Sequence, residues 1–440
     1  MKIRSITYFC NPQYPLDEKV IQQAGTFLAK AKSAYEAAGY EVQTRRLATI
    51  PFPRLLSSND FSRLKAPDPT GVLSKVATID KLDELPKLAE ELARILQQAE
   101  VAYASLGPAL PELPHSYEVI PEAIAAAPSI FFGGVMADRT HGIDLAAVRA
   151  CADVIVKCAP MEPNGFANLQ FAALANVGAG APFFPAAYHN ANEPAFAIAT
   201  ESADLAVEAF QNEKTLEAGR TALISEVTKH GQAIAQIAQS LIPNSQFTGS
   251  RSTLSQSPKF TGIDFSLAPS PDDQLSLGNA VEQMGVPRIG LHGSLAAAAI
   301  LTEAIDRADF PHTGFSGFMQ PILEDSVLAR RAAEGTLTVK DALLYSAVCG
   351  TGLDTIPLPG DTTSEELVPL LLDLCALALR LDKPLTARLM PIPNKKAGDE
   401  TNFDFAFFAP SRVMALDSEG LMNSFSGTKI FHLLSQKQVR

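Results

Sequence analysis

Ile3-Arg4-Ser5-Ile6-Thr7-Tyr8-Phe9-Cys10 is a largely apolar run that ends at Asn11-Pro12. A short β-branched and aromatic segment closed by turn residues reads as a strand. A helical pattern follows over about residues 16–38 and stops at Gly39, and Glu41 to Ile50 then reads as a second strand. Strand, helix, strand is the opening of a mainly parallel sheet with helices packed outside it. Working outward, the alternation continues. A helix over roughly 82–98 leads into the apolar run Val101 to Leu106, and Ser129 to Val135 reads as a buried strand before a helix at about 143–157.

The middle of the chain predicts one long helix from about 203 to 241. Leu216, Leu223, Val227, Ile234, Ile237 and Leu241 recur at helical spacing, and Pro243 stops it. The polar stretch Asn244 to Lys259 reads as a loop, and a half-boundary could fall there within one large domain spanning 1–440. Beyond it come a strand over Phe260 to Leu267, an alanine-rich helix over Ser294 to Ala308, and a helix over about 366–381. Thr363 and Glu366 have capping-box spacing for this last helix, while Pro369 predicts that its regular part begins later. No fixed-period repeat is visible.

Composition narrows the functions. Hydrophobic residues make up 47% of the 440 residues and charged residues 19%, enough to fill a large packed core. The formal charge of −12 and the absence of any basic run argue against nucleic acid or an anionic membrane as partner. A small anion remains open, because one arginine fork can hold it. The five cysteines are widely spaced and form no C-x-x-C pair, a pattern of reduced thiols. With no secretory leader or membrane-spanning run in view, the expected location is cytoplasmic.

Several familiar motifs are missing: there is no P-loop and no H-E-x-x-H. Gly178-Ala179-Gly180 has Phe183 where a dinucleotide fingerprint needs glycine, and Gly314-Phe315-Ser316-Gly317-Phe318 fails the G-x-S-x-G pattern at its last position. What remains is carboxylates beside glycines: Gly262-Ile263-Asp264, Gly352-Leu353-Asp354, Gly360-Asp361-Thr362 and Gly398-Asp399. Such pairs serve ligand sites, where glycine admits a close approach and aspartate supplies charge, a hard oxygen or a proton acceptor. They serve Asx-turns and helix caps equally well. Cys349, before Gly350-Thr351-Gly352, is either a loop nucleophile or a small buried residue. His189 and His292 are each a base, a ligand or a structural histidine. Arg388 stands alone in an apolar strand, so it is either an anion clamp or the partner of one of these aspartates. Arg139 invites the same two readings.

At these loops the chain resembles the family called domain of unknown function 711. The resemblance is carried by Gly165 to Asn168, Pro182 to His189, Gly262 to Pro269, Leu291 to Ala299, Thr313 to Gly317 with Glu324-Asp325, Ser346 to Thr362, and Pro384 to Asp404. It covers about residues 128–440 strongly and the N-terminal part more loosely. It implies an α/β barrel like that of pyruvate formate-lyase and other glycyl-radical enzymes, with helices packed outside, two half-barrels and a loop reaching into the lumen. Cys349 would sit where those enzymes carry a thiyl cysteine. The radical segment R-V-x-G-[FY] is not matched, because Arg412-Val413-Met414-Ala415-Leu416 has alanine at the glycine position. The resemblance therefore implies the barrel without radical chemistry, and fold alone does not carry function.

The expectation is a homo-oligomeric enzyme acting on a small anionic metabolite in the barrel lumen. Cys349, His189, His292, Asp354 and Asp361 are its candidate catalytic groups. Arg388, Arg139 and Ser316 are candidates for substrate binding. Asp264, Asp361 and Asp399 are candidate ligands for a divalent cation such as Mg or Ca. The rival expectation is a non-catalytic metabolite- or metal-binding protein on the same barrel.

Overall fold

The computed structural model describes residues 1–57, 81–242 and 257–439. Residues 244–256 of the expected boundary loop lie outside them. The strands in chain order are β1 (Lys2–Cys10), β2 (Val42–Thr49), β3 (Tyr103–Ala109), β4 (Ile130–Asp138), β5 (Gly142–Asp144), β6 (Phe171–Ala175), β7 (Ala195–Glu201), β8 (Lys259–Asp264), β9 (Gly352–Pro359), β10 (Leu385–Ile392) and β11 (Ile430–Phe431). They form one 11-stranded sheet whose main path runs β8-β7-β1-β2-β3-β4-β6-β10-β9, with β5 and β11 branching from β4. The protein is thus mixed α/β with a large, mostly parallel sheet.

Two antiparallel seams divide the main path of the sheet. β1, β2, β3, β4 and β6 run parallel to one another, while β7 with β8 and β10 with β9 form parallel pairs. The seams are β1 against β7 and β6 against β10. A segment over 312–321 touches both outer strands in parallel, through Ile263↔His312 and Ser266↔Gly317 on β8 and its extension, and through Pro321↔Asp354 on β9. Backbone hydrogen bonds follow that track. Leu267 N–H donates to Gly317 O at 3.0 Å, Gly317 N–H to Phe265 O at 3.2 Å, and Ile322 N–H to Asp354 O at 3.0 Å.

The helices form where apolar spacing and caps coincide. Helix Glu18–Ala37 starts at Asp17, whose carboxylate accepts the Lys19 N–H, and buries Ile21, Leu28 and Tyr35. Helix Leu145–Cys158 is capped by Asp144 in the same way and buries Val148, Cys151 and Ile155. The long helix expected over 203–241 is two helices, Ala203–Asn212 and Leu216–Leu241. Thr215 is extended and its side chain accepts the Ala218 N–H, so a new N-terminus interrupts the apolar spacing and leaves Leu216 exposed. The helix expected to begin after Pro369 is regular from Ser364 to Leu381. The reciprocal Thr363–Glu366 capping box and the burial of Leu367, Leu371 and Leu374 outweigh the bond that Pro369 cannot make. Among the described residues no helix is long and apolar enough to cross a membrane.

Candidate functional site

Side chains from the inward positions of this sheet converge on a cavity of about 180 Å³. Its charged wall comes from Arg4 on β1, Arg46 on β2, Asp264 on β8, Glu324, Asp354 on β9 and Arg388 on β10. Strand alternation selects them: Arg46 turns inward while its neighbour Arg45 turns out to pair with Glu100 at 3.3 Å. The rest of the lining is mostly apolar and includes Tyr103, Phe131, Phe183, Phe184, Phe405 and Phe407.

The charges form an alternating chain. Arg4 donates to Glu201 at 2.7 Å and to Glu324 at 2.5 Å. Arg388 donates from Nη2 to Glu324 at 2.9 Å and from Nε to Asp354 Oδ1 at 2.5 Å. Glu201 also accepts from Gln43 at 2.9 Å. Burial pushes the Glu324 carboxyl up, but the guanidiniums of Arg4 and Arg388 outweigh it and hold Glu324 below the usual carboxylate range. Asp354 has only one of these cations. Burial therefore wins and raises it, against the pull of Arg388. Its second oxygen, Oδ2, is buried and has no hydrogen-bond partner among the described residues.

Arg46 is different from the other two arginines. Its Nε donates to Thr44 Oγ1 at 2.9 Å, its guanidinium lies 5.1 Å from the centre of the Phe184 ring, and no carboxylate pairs with it among the described residues. Burial, with Arg4 close by, pushes it down to about 9, which still leaves it charged at neutral pH.

Asp264 lines the cavity but is committed to structure. It accepts from Ser266 Oγ at 2.5 Å and from the Phe315 and Ser316 N–H groups, each at 2.9 Å. Burial raises it and these bonds oppose that. Gly314 makes the grip possible: its φ is +66°, and a Cβ there would come within 2.3 Å of Asp264 Oδ2. Ser316 belongs to the same turn, accepting the Phe265 N–H on its Oγ at 3.1 Å. Thr355, next to Asp354, is buried at φ +44°, an uncommon state for a β-branched residue. Its hydroxyl accepts the Leu323 N–H at 3.3 Å and so ties the Glu324 segment to β9.

Of the expected site residues, then, the structure brings Asp264, Asp354 and Arg388 together, and of the two readings of Arg388 it supplies the ion pair. The others stand elsewhere. Cys349 is in the core, its Sγ accepting the Gly352 N–H at 3.2 Å. His189 is buried beside Phe9 with Nε2 3.0 Å from Glu193 O, and burial pushes its imidazole down. His292 is exposed, ahead of a helix capped by Gly293. Arg139 is exposed and pairs with Asp382. Asp361 is exposed, and exposed Asp399 caps its own turn by accepting the Lys396 N–H at 2.7 Å. The expected cation set of Asp264, Asp361 and Asp399 is thus divided between the cavity wall and exposed turns. Among the described residues no group of three or more His, Cys, Asp or Glu is gathered to hold a metal.

Sequence reasoning passed over Arg4, Arg46, Glu201 and Glu324. The signal that singled out Arg388, a lone charge inside an apolar strand, was equally present at Arg4. In Arg45-Arg46 the cavity-lining cation stood next to one that pairs with Glu100 instead.

The same sequence has relatives over most of its length. A UPF0210 protein of Pyrobaculum aerophilum is 34% identical over 270 residues, 60% of this chain and 57% of the relative. The match to a UPF0210 protein of Methanopyrus kandleri is longer, at 26% identity over 388 residues, 87% of this chain and 82% of that one. A UPF0210 protein of Acetivibrio thermocellus is 29% identical over 290 residues, 64% and 63% of the two chains. The matched part spans less than two thirds of the first and third of these relatives. A family model described as "Uncharacterised ACR (DUF711)" matches residues 1–404, and to that family this chain belongs.

Proposed function

We propose that the cavity is an active site in which Asp354 moves a proton to or from a small anionic metabolite. The observation that carries this is Asp354 Oδ2, a buried carboxylate oxygen of a cavity-lining residue with no hydrogen-bond partner among the described residues. Nearly all buried polar atoms are paired, because an unpaired one costs about 1–3 kcal/mol or more when charged. A buried, unpaired carboxylate oxygen on a cavity-lining residue marks a candidate general acid or base, and burial moves its carboxyl toward working pH. Arg388 fixes Oδ1, so the unpaired oxygen keeps one orientation.

The same reading closes the sheet into a barrel of the pyruvate formate-lyase type. In support, β10, β9, the 312–321 segment, β8 and β7 run one way, and β1, β2, β3, β4 and β6 run the other. The cavity then lies in the lumen between two half-barrels. Asp354→Asn retains an acceptor for Arg388 but removes the titrating oxygen. Its turnover is expected to fall by about 100-fold or more with the fold intact by circular dichroism. Undiminished turnover in this variant overturns the assignment, and binding with no turnover in the unaltered protein favours a binding protein on the same sheet.

A further inference from the structure

We infer that the occupant of this cavity is a monocarboxylate with a flat apolar body, its carboxylate clasped by Arg46; this rests on the cavity being the protein's ligand site. Charge is the first argument. Arg4 and Arg388 are taken up by Glu201, Glu324 and Asp354. Arg46 has no such partner among the described residues, so of the three arginines lining the cavity it is the one available to an incoming anion. A phosphate or dicarboxylate dianion needs a second free cation, and it would instead meet the carboxylates of Glu324 and Asp354 on the same wall.

Geometry gives the second argument. Thr44 engages Nε of Arg46, which leaves the two terminal nitrogens to form the parallel pair of bonds that suits a planar carboxylate. The guanidinium is packed over Phe184, so it is held in place before a ligand arrives.

The third argument is the wall around it. Tyr103 and Phe131 meet edge to face at 5.5 Å, as do Phe131 and Phe184, and Arg46 stands over the last ring of that row. Phe183, Phe405 and Phe407 also line the cavity. Aromatic rings stack on or edge against other flat rings better than they hold a hydrated polyol. The volume of about 180 Å³ lies below the roughly 300–1,000 Å³ of drug-sized ligand sites, which favours a single ring over a nucleotide.

Isothermal titration calorimetry on the full chain tests this with benzoate, its neutral counterpart benzamide, hexanoate, succinate and inorganic phosphate. Benzoate is expected to bind at least about tenfold more tightly than each of the other four. Arg46→Gln should weaken benzoate about 100-fold, the loss of two charge-assisted hydrogen bonds, and Arg46→Lys about tenfold, since the charge stays and the fork goes. Neither variant breaks an ion pair among the described residues, so both should fold, which circular dichroism without ligand checks. Preference for succinate or phosphate, benzoate binding indifferent to Arg46→Gln, or no binding by any of the five overturns the inference. Asp354→Asn separates it from the catalytic reading. If that variant turns over normally while benzoate still depends on Arg46, the ligand class stands and the role of Asp354 falls. If Asp354→Asn is inactive and Arg46→Gln leaves benzoate binding unchanged, the reverse holds.

Discussion

Glu324 sits between two guanidiniums, and its buried charge is tolerable only because both are there. Its folded pKa lies below the unfolded one, so ionisation adds stability that is complete above about pH 4.3 and is lost as pH falls through the depressed folded value. Glu324→Gln is therefore expected to destabilise by about 3 kcal/mol at pH 7. The gap to the unaltered protein should narrow steadily below about pH 4 in urea unfolding; a gap that stays constant with pH sinks the account. Asp354 and Arg388 were legible in the sequence, one from its glycine neighbours and the other as a lone charge in an apolar strand. Arg46 was not. Whether an arginine in a strand is paired depends on which face it takes and on residues hundreds of positions away, and neither is a local property.

At the scale of elements, Asp325 shows how one buried side chain can organise two helices. Its carboxylate caps helix Ser326–Ala333 through the Val327 and Leu328 N–H groups, at 2.9 and 3.0 Å. It also accepts from Ser276 Oγ at 2.6 Å and from Leu277 and Gly278 N–H at the start of helix Leu277–Gln283. Asp325→Ala strands these donors in the core and should cost about 3–5 kcal/mol, read as a fall in the unfolding midpoint. A loss under about 1 kcal/mol would mean that water replaces the carboxylate. The neighbouring turn is as demanding. Gly314→Ala would press a methyl into Asp264 and strain a positive φ, so it should destabilise by at least about 2 kcal/mol in the same assay. Most elements were readable from apolar period and caps, as β1, β2 and helix Glu18–Ala37 show. The break at Thr215 was not, because nothing in Glu213-Lys214-Thr215 forbids helix; tertiary packing decides there.

For the molecule as a whole, the 312–321 segment carries the most structural information for its length. If it seals the sheet, the amides of Thr313, Gly317, Leu267 and Ile322 should exchange with solvent as slowly as those in the middle of β1 and β2. Rapid exchange at these four, with β1 protected, would leave the sheet open along that side. The sequence predicted a mainly parallel sheet with helices packed outside it, and the structure has a large, mostly parallel sheet in a mixed α/β protein. It could not locate the 312–321 segment that bridges β8 and β9, since His312 to Pro321 has neither strand alternation nor an apolar run. The run of charges from Glu201 through Arg4, Glu324 and Arg388 to Asp354 crosses the β1–β7 seam and links β1 through Glu324 to β10 and β9. A change at either end unbalances every pair along it, so single replacements in the run should be far worse than the sum of compensated ones. Across the relatives these five positions should accordingly be inherited as a block: where one drifts, its neighbours drift with it, and chains carrying only part of the set should be scarce.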